Sequence, residues 1–490
     1  MSATTSNLVQ RLWGLCNILR DDGTTYQDYV TELTYLLFLK MLAETGREGL
    51  IPPDCRWSEL TAREGDALLT HYRATLLKLG TSGHPGIRTI FDNAQTSLRK
   101  PANLRELVGA LDRLDWYSAK EEGLGDLYEG LLEKNAAEKK SGAGQYFTPR
   151  ALIDCMVRLL KPQPGEVIQD PAAGTGGFLV AADRYIKART DDLFTLPTAQ
   201  QEFQRREAFR GLELVPGTHR LLTMNLLLHG IGTPDGESLI EVKDALLADP
   251  GRRYSVVLSN PPFGRKSSIT MVGADGREVR DDREISRPDF ITTTANKQLN
   301  FLQHIVTVLD INGRAAVVLP DNVLFEGGAG ETIRRHLLKT CDVHTLLRLP
   351  TGIFYAQGVK ANVLFFDKKP AAERPWTQRL WVYDLRTNQH FTLKQNPLRR
   401  EHLQDFVDCF APGKPRPARV ETERFRSFTY DELIARDKTN LDITWLRDDS
   451  LDDLDNLPEP AVIASEIVED LTAALAEFEA VAAALEEGRA

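Results

Sequence analysis

Residues 167–178 read VIQDPAAGTGGF, and this stretch decides the fold class. The apolar run Val167–Gln169 predicts a short strand, and small residues follow the acid Asp170 before an apolar helix begins. Glycine at such a turn lets the backbone approach a ligand at the carboxyl end of a strand in a parallel sheet. We therefore expect a small-molecule cofactor here, with a tight turn that binds nothing as the alternative. The residues expected at the cofactor are Asp170, Gly174, Thr175, Gly176 and Gly177.

Two common nucleotide sites do not fit this loop. A P-loop would continue its last glycine with Lys and then Ser or Thr, whereas Phe178 follows Gly177. A dinucleotide fingerprint would have Gly or Ala at the position of Leu179. The loop therefore disfavours both an NTPase and an NAD-dependent enzyme.

The sequence around the loop is typical of an α/β domain. Between Gln145 and Lys369, short apolar or β-branched runs alternate with helical stretches, which predicts a Rossmann-like, mostly parallel sheet. The polar segment 267–294 predicts a long inserted loop, and LWVYDL at 380–385 predicts one more short strand. The six main predicted strands are Val167–Gln169, Phe209–Glu213, Ser255–Leu258, Arg314–Leu319, Val343–Leu349 and Val363–Phe366.

The flanking regions predict three further parts. Residues 1–140 are expected to form a helical domain, because the apolar residues of Tyr26–Glu44 recur mostly at helical spacing. The α/β domain would occupy 141–410, and a Pro-rich stretch predicts a linker over 411–457. Residues 458–490 place apolar residues every three or four positions on an acidic surface, which predicts an amphipathic helical tail that packs on a partner, with docking on its own chain as the alternative.

Composition excludes several protein classes. A chain of 490 residues is too long for one core, and 42% hydrophobic with 27% charged residues is typical of globular proteins. The longest apolar run, Leu33–Ala43, is broken by Lys40 and is too short to cross a membrane, and no signal peptide is visible. The five cysteines form no C-x-x-C pair and fit neither a disulfide framework nor a zinc site. We expect a cytoplasmic protein without a metal or a membrane contact.

The negative charge is concentrated at the carboxyl end. From Arg447 to Ala490 there are thirteen acidic residues against two Arg, a net of −11, so the other 446 residues carry −10 − (−11) = +1. A protein that bound nucleic acid tightly by itself would usually carry a basic surplus. If the substrate is DNA, a partner therefore supplies much of the binding.

Two carboxylates lie where a nucleoside could bind. Glu213 ends the predicted strand FRGLE, where a carboxylate can accept hydrogen bonds from both ribose hydroxyls. Asp244, in EVKDALL, could accept a hydrogen bond from an exocyclic adenine amine, or it could cap a helix. An ordinary exposed glutamate is the alternative for Glu213. Neither residue decides a function alone.

The tetrapeptide Asn260-Pro261-Pro262-Phe263 follows the apolar strand SVVLS. Two successive prolines remove two backbone N–H groups, so the Pro261 carbonyl and the Asn260 side-chain oxygen can serve as two acceptors at one point. Two acceptors suit an sp² amino group, because they engage both N–H bonds and leave the nitrogen lone pair aimed at an electrophile. Phe263 offers a surface on which a flipped base can stack. A rigid turn with a packed phenylalanine is the alternative.

Together, Asp170–Phe178, Glu213 and Asn260–Phe263 resemble the S-adenosylmethionine-dependent amino-methyltransferases of DNA. GQYFTPR, at 144–150, resembles the element that folds over the methionine end of the cofactor in these enzymes. More narrowly, the chain resembles the modification subunit of type I restriction-modification systems. The segments that carry this resemblance are DPAAGTGGF, GLELVPGTHRLLTMNLLLHG, NPPFG, VLPDNVLFEGG and LPTGIFYAQGVKANVLFF.

The resemblance implies a role for each matching position. Asn260 to Phe263 would hold the target adenine, Thr175 to Gly177 the methionine moiety, and Glu213 the ribose. Asp244 is carried over as a cofactor residue, although the segment around it departs from a clear motif. The residues of the folded-over element, which would also hold the methionine moiety, are Gln145, Tyr146, Phe147, Thr148, Pro149 and Arg150.

The resemblance implies an adenine-specific, site-specific methyltransferase that acts on the N6 atom in double-stranded DNA. Two such subunits would flank one specificity subunit, and a motor endonuclease subunit would join for cleavage. Cytosine C5 methylation is disfavoured because it needs a thiolate nucleophile, usually in a Pro-Cys pair, and no cysteine here follows a proline. Cytosine N4, RNA or protein methylation, and a cofactor-sensing scaffold without catalysis, remain the alternatives.

Overall fold

The computed structural model describes residues 10, 12–14, 26–114, 124–138, 148–263, 268–272, 278–282, 284–354, 360–393, 396–413 and 415–447. The chain divides into two compact units. The first comprises Met1–Arg386 with His390–Thr444, and it contains every element discussed below. The second comprises Thr387–Gln389 with Trp445–Ala490, and in its described part the Asn388 side chain donates to the Arg447 carbonyl. The predicted helical tail, 458–490, lies outside the described residues.

The amino-terminal part is helical, as the sequence predicts. Its longest helix, Tyr26–Glu44, is apolar on nearly all sides because other helices surround it, and Tyr35 stacks on Phe91 with ring centroids 5.4 Å apart. Proline occupies the first helical positions of two helices, where its missing N–H costs nothing. The helices are α1 (Tyr26–Glu44), α2 (Trp57–Thr61), α3 (Gly65–Gly80), α4 (Pro85–Phe91), α5 (Pro101–Asp112) and α6 (Leu124–Glu138).

The second half is built on one nine-stranded sheet. Along the sheet the strands follow the order β11-β10-β8-β9-β7-β4-β1-β2-β3, and five of the eight neighbouring pairs are parallel. Two further strands, β5 and β6, form a separate antiparallel hairpin. The bounds are β1 (Ile168–Asp170), β2 (Phe209–Glu213), β3 (Ile240–Val242), β4 (Tyr254–Ser259), β5 (Ser268–Val272), β6 (Glu278–Asp282), β7 (Leu309–Pro320), β8 (Cys341–Arg348), β9 (Ala361–Lys368), β10 (Arg379–Asp384) and β11 (Phe425–Thr429).

Helices cover the sheet and join it to the helical region. One helix, Pro216–Leu228, serves both cores: Leu221 and Met224 pack among the amino-terminal helices, whereas Leu222 and Leu226 pack on the sheet. The helical region is therefore continuous with the α/β core. The helices of this half are α7 (Arg150–Leu160), α8 (Gly177–Lys187), α9 (Thr198–Arg206), α10 (Pro216–Leu228), α11 (Lys297–Val308), α12 (Asn322–Phe325), α13 (Ala329–Thr340), α14 (Gln404–Phe410) and α15 (Tyr430–Ala435).

The structure differs from the sequence-based expectation in two segments. The predicted linker 411–457 contains β11 and α15, and β11 pairs antiparallel with β10 at the edge of the sheet. The guanidinium of Arg334, fully buried, donates to the carbonyls of Lys438 and Thr439 and anchors this segment. The predicted loop 267–294 contains the β5–β6 hairpin. Proline and charged residues in these two segments are typical of loops, so the sequence did not indicate the short strands. The domain boundary at residue 140 stays a prediction.

Among the described helices, none is both long enough and apolar enough to cross a membrane.

Candidate functional site

The predicted site residues meet at one edge of the sheet. Strands β4, β1 and β2 are parallel neighbours, so their carboxyl ends, Ser259, Asp170 and Glu213, lie side by side. The Ser259 hydroxyl donates to an Asp170 carboxylate oxygen at 2.7 Å. The loops that follow these three strands carry the glycines and the Asn260 tetrapeptide. The structure therefore brings the two motifs together, as ligand sites in parallel α/β sheets require.

Glycines in the loop after β1 have two functions. Gly176 has φ +86°, and a Cβ there would collide with the Leu222 side chain of α10. A Cβ on Gly177 would lie 2.9 Å from Ile153 Cδ1 in α7. Gly174 has φ +54°, and a Cβ there would meet nothing within 4 Å. The last two glycines thus allow close helix packing, whereas the first leaves open space above the loop.

The Glu213 carboxylate holds this loop in place. It accepts hydrogen bonds from the Gly174 amide at 3.0 Å and from the Val215 amide at 2.8 Å. Burial raises the pKa of Glu213. A carboxylate has about four lone-pair sites, so acceptor capacity remains for a ligand after the backbone bonds are formed. The opposite side of the loop is fixed by Asn225, whose side chain donates to the Thr175 carbonyl at 2.8 Å.

Asp170 is a buried acid at the centre of the site. It accepts from Ser259 and, at 3.0 Å, from the Ala172 amide. Burial, together with the nearby negative charge of Glu213, raises the pKa of Asp170 to about 7. No Lys, Arg or His of the described chain lies within ion-pair distance of either carboxylate. The edge therefore presents negative charge that the protein itself does not neutralise.

The tetrapeptide after β4 is held by contacts from three other segments. The Asn260 side-chain nitrogen donates to the Thr148 hydroxyl at 2.9 Å, which fixes the amide plane and gives its oxygen the acceptor role. The Gln298 side chain donates to the Pro262 carbonyl at 3.3 Å. The ring of Phe263, half-buried, packs edge-on against Phe354 with centroids 5.8 Å apart. These contacts fix the positions of Asn260, Pro262 and Phe263.

The structure brings only some of the remaining predicted cofactor residues to the site. Gln145, Tyr146 and Phe147 lie outside the described residues. Thr148 is buried and contacts Asn260, while Pro149 immediately precedes α7. Arg150 forms an ion pair with Glu129 of α6 at 3.0 Å. The structure therefore brings Thr148 to the tetrapeptide, and it shows Arg150 engaged with the helical region.

Asp244 forms a local turn. One of its carboxylate oxygens accepts from the Leu246 amide at 2.9 Å, and no helix follows it in the described chain. The Lys243 amide just before it donates to the Glu213 carbonyl at 3.3 Å, which keeps this turn close to the end of β2. A helix cap was the alternative role predicted for Asp244, and in the structure its carboxylate instead stabilises a turn.

Sequence reasoning missed several residues that build the site. Ser259, Gln298, Phe354 and Asn225 each contact a predicted site residue. Their partners lie tens of residues away along the chain, so no local spacing could have identified them. Phe354 lies within a quoted family segment, but that resemblance gave it no role.

Comparison with known families accounts for nearly the whole chain. The family described as N-6 DNA Methylase matches residues 119–446, which includes the sheet and every candidate site residue. The family described as HsdM N-terminal domain matches residues 8–111, the helical region.

Individual relatives agree with these matches. The EcoKI type I restriction enzyme methylase subunit of Escherichia coli (strain K12) is 44% identical, over 97% of this chain and 94% of that protein. The crystal structure of the EcoKI M protein is 41% identical, covers 98% of this chain and 96% of its own, and has a TM-score of 0.56. A chain from a study of complex assembly in the type I R-M system is 26% identical, with 99% of both chains covered and a TM-score of 0.71. The chain therefore belongs to the N-6 DNA methylase family, among the methylase subunits of type I restriction enzymes.

Proposed function

We propose that this chain transfers a methyl group from S-adenosylmethionine to N6 of adenine in DNA, at the edge where β4, β1 and β2 end. The observation that supports this most is the 2.7 Å hydrogen bond from Ser259 to Asp170. It joins the strand that leads into the Asn260 tetrapeptide to the strand that leads into the glycine loop. A cofactor on the loop and a base on the tetrapeptide would then be neighbours.

The residues at the loop fit S-adenosylmethionine. Open space above Gly174 leaves room for a ligand, and Glu213 retains acceptor sites that suit ribose hydroxyls. Asp170 and Glu213 present negative charge without a cationic partner among the described side chains, which suits a positively charged ligand. When bound, the cofactor supplies a methyl group on a sulfonium sulfur. Thr148 to Arg150 and Thr175 to Gly177 would enclose its methionine end.

The tetrapeptide would bind and polarise the target amine. The Asn260 side-chain oxygen and the Pro261 carbonyl accept the two N–H bonds of the adenine amine and direct its lone pair toward the methyl group. As positive charge develops on the nitrogen, both acceptors stabilise it, which is the electrostatic contribution expected of preorganised dipoles. Phe263, supported by Phe354, stacks on the base after it leaves the duplex. Thr148 prevents the Asn260 amide from rotating.

Sequence recognition would belong to another subunit. The 446 residues before the acidic tail carry a net charge of only +1, which is little for a protein that binds duplex DNA alone. We propose that two copies of this chain assemble with one specificity subunit, that a motor endonuclease subunit joins them, and that the complex works in the cytoplasm. Similarity to a chain from a type I assembly supports the multi-subunit arrangement.

A substrate panel tests the activity. The chain, purified together with its specificity subunit, is incubated with methyl-labelled S-adenosylmethionine and with duplex DNA, RNA or release-factor protein. We expect label in duplex DNA, and N6-methyladenine when the digested nucleosides are separated by mass spectrometry. Detection of N4-methylcytosine, or of label in RNA or protein, would show that adenine in DNA is not the substrate. Absence of label from all three substrates, with cofactor binding intact, would favour the alternative of a cofactor-sensing scaffold without catalysis.

A further inference from the structure

A part-buried ion cluster joins the helical region to the methyltransferase core. Asp126 and Glu129 lie one turn apart on α6 and face the same way. The Arg184 guanidinium of α8 donates to Asp126 at 2.7 Å and to Glu129 at 3.3 Å. Arg150, the first residue of α7, pairs with Glu129 at 3.0 Å. One carboxylate of the helical region thus contacts the arginines of two different core helices.

The cluster is closely packed around Glu129 and brings opposite charges together. The Glu129 side chain is only 10% exposed and the Arg150 side chain 22%. A Cβ on Gly125 would lie 2.5 Å from the His229 ring of α10, so α6 has no space to slide over that ring. Two carboxylates thus pair with two guanidinium groups, and Asp154 of α7 and Glu133 of α6 add negative charge near Arg150.

A metal is an alternative occupant of this position. Ligand atoms of Asp126, Glu129 and His229 lie within 4.8 Å of one another, which is compatible with a cation. Arg184 already donates to both carboxylates, and its positive charge occupies the role that a metal would have. The cluster therefore has a structural role, which is to connect α6 to α7 and α8.

The two arginines belong to the helices that start at the cofactor loops. Helix α7 begins at Arg150, directly after the element 145–149, and α8 begins at Gly177, at the end of the glycine loop. We infer that Glu129 is a positioning residue: it locks the helical region onto both helices, so that the placement of this region sets the affinity for S-adenosylmethionine. This inference rests on the proposed function.

Removing the charge of Glu129 should act on the cofactor in two ways. Without it, Arg150 at the start of α7 and Arg184 in the last turn of α8 would lose their shared carboxylate, and the more positive potential beside these helices would disfavour a cationic ligand. Helices α7 and α8 would also lose their common anchor on α6. Both effects weaken binding, whereas neither touches the acceptors of the Asn260 tetrapeptide.

The experiment compares Glu129→Gln with a matched ion pair elsewhere. Glu166 pairs with Arg314 at 2.7 Å, both side chains are 22% exposed, and the pair lies at the amino end of the sheet. Titration calorimetry with S-adenosylmethionine is performed on the full-length wild type, Glu129→Gln, Glu129→Asp and Glu166→Gln, each checked by thermal unfolding. We expect Glu129→Gln to weaken cofactor binding about tenfold, as loss of a part-buried charge pair implies. Glu129→Asp should weaken it less, and Glu166→Gln should not change it.

Steady-state kinetics of the complex with its specificity subunit provides a second readout. For Glu129→Gln the KM for S-adenosylmethionine should rise while kcat at saturating cofactor stays within about twofold of wild type. Equal affinities in Glu129→Gln and wild type, or equal losses in Glu129→Gln and Glu166→Gln, would overturn the positioning role. Should Glu129→Gln fail to fold, Asp126→Asn, which removes the other carboxylate on Arg184, must weaken binding instead. Failure of the wild type to bind the cofactor would instead remove the proposed function, and this inference with it.

Discussion

The carboxyl edge of the sheet, where β4, β1 and β2 end, and the amino edge, where these strands begin, hold their carboxylates in different ways. At the carboxyl edge, Asp170 and Glu213 accept hydrogen bonds only from amides and a hydroxyl among the described residues. At the amino edge, Glu166 binds both terminal nitrogens of Arg314 at 2.7 Å, and Arg314 also donates to the carbonyls of Leu160 and Lys161 at the end of α7. Glu166 is therefore neutralised within the protein, whereas Asp170 and Glu213 are not, although Asp321, directly after the carboxyl end of β7, does pair with Arg386 at 2.8 Å.

This difference indicates what each edge contributes. A carboxylate that has a bidentate arginine holds secondary-structure elements together and has no charge left for a ligand. A buried carboxylate without a cation is costly, and burial raises the pKa of both Asp170 and Glu213. Such a cost is typical of functional sites, where a cationic ligand recovers it. Changes at the carboxyl edge should therefore affect function, and changes at the amino edge should affect stability.

The largest expected effect is at the tetrapeptide. Asn260→Ala removes one of two acceptors for the target amine, which should cost on the order of 3 kcal/mol or more at the transition state, a loss of about 100-fold or more in kcat. Cofactor affinity should stay close to wild type, because the Asn260 side chain bonds Thr148 and its proposed ligand is the target base. A transfer assay beside calorimetry measures both quantities.

The control for this variant is another asparagine. Asn396 is exposed, and its side chain donates to the His390 carbonyl rather than to a predicted site residue. Asn396→Ala should leave transfer unchanged. Wild-type turnover in Asn260→Ala would exclude the tetrapeptide as the site of chemistry.

The next largest effect is expected at Glu213, whose carboxylate holds the glycine loop in place. Glu213→Ala removes the acceptor for the Gly174 and Val215 amides and for the ribose, and unpaired buried groups cost roughly 1–3 kcal/mol each. We expect S-adenosylmethionine binding to weaken about 10- to 100-fold, with a smaller effect on kcat at saturating cofactor. Calorimetry is the measurement. Unchanged affinity would mean that Glu213 only shapes the end of β2.

Sequence was sufficient for the central strands and their loops. Strands β1, β2 and β4 are predicted because they are apolar runs that end at an acid or at an Asn-Pro turn, features that are local in the chain. Parallel neighbours then bring their carboxyl ends together without further information. The glycine loop and the tetrapeptide could be assigned to the same edge on these grounds alone.

Sequence was insufficient where the signal is tertiary. The residues of β3 after Ile240 are exposed, and β11 reads FRSFT, so neither strand has the continuous apolar run of a central strand. Each acquires its conformation by pairing at an edge of a sheet that is already formed. The Thr148–Asn260 hydrogen bond spans 112 residues, and no pattern of spacing could predict it.

At the amino edge the expected effect is on stability. Glu166→Ala removes the partner of Arg314, and because both side chains are 22% exposed the loss should be about 2 kcal/mol in the free energy of unfolding, below that of a fully buried pair. Urea denaturation measures this loss. Cofactor affinity should not change. A large drop in affinity with unchanged stability would contradict the division between the two edges.

The smallest expected effect is a pH dependence that distinguishes the edges without changing any contact. Because burial raises the pKa of Asp170 to about 7, far above its unfolded value, this acid favours folding most at low pH, and its contribution is lost as pH rises toward and through 7. A cationic ligand beside Asp170 favours the ionised form, so binding releases a proton near pH 7.

Affinity for S-adenosylmethionine should therefore increase as pH rises through 7, by at most about 1.4 kcal/mol per pH unit below that value. Calorimetry at pH 6, 7 and 8, in two buffers with different ionisation enthalpies, measures the affinity and the released proton. Asp170→Asn should flatten this profile, whereas Glu166→Ala should leave it intact, because its carboxylate belongs to the neutralised edge. A pH-independent affinity in the wild type would show that Asp170 stays in one protonation state, and the unneutralised charge of the carboxyl edge would then reside on Glu213 alone.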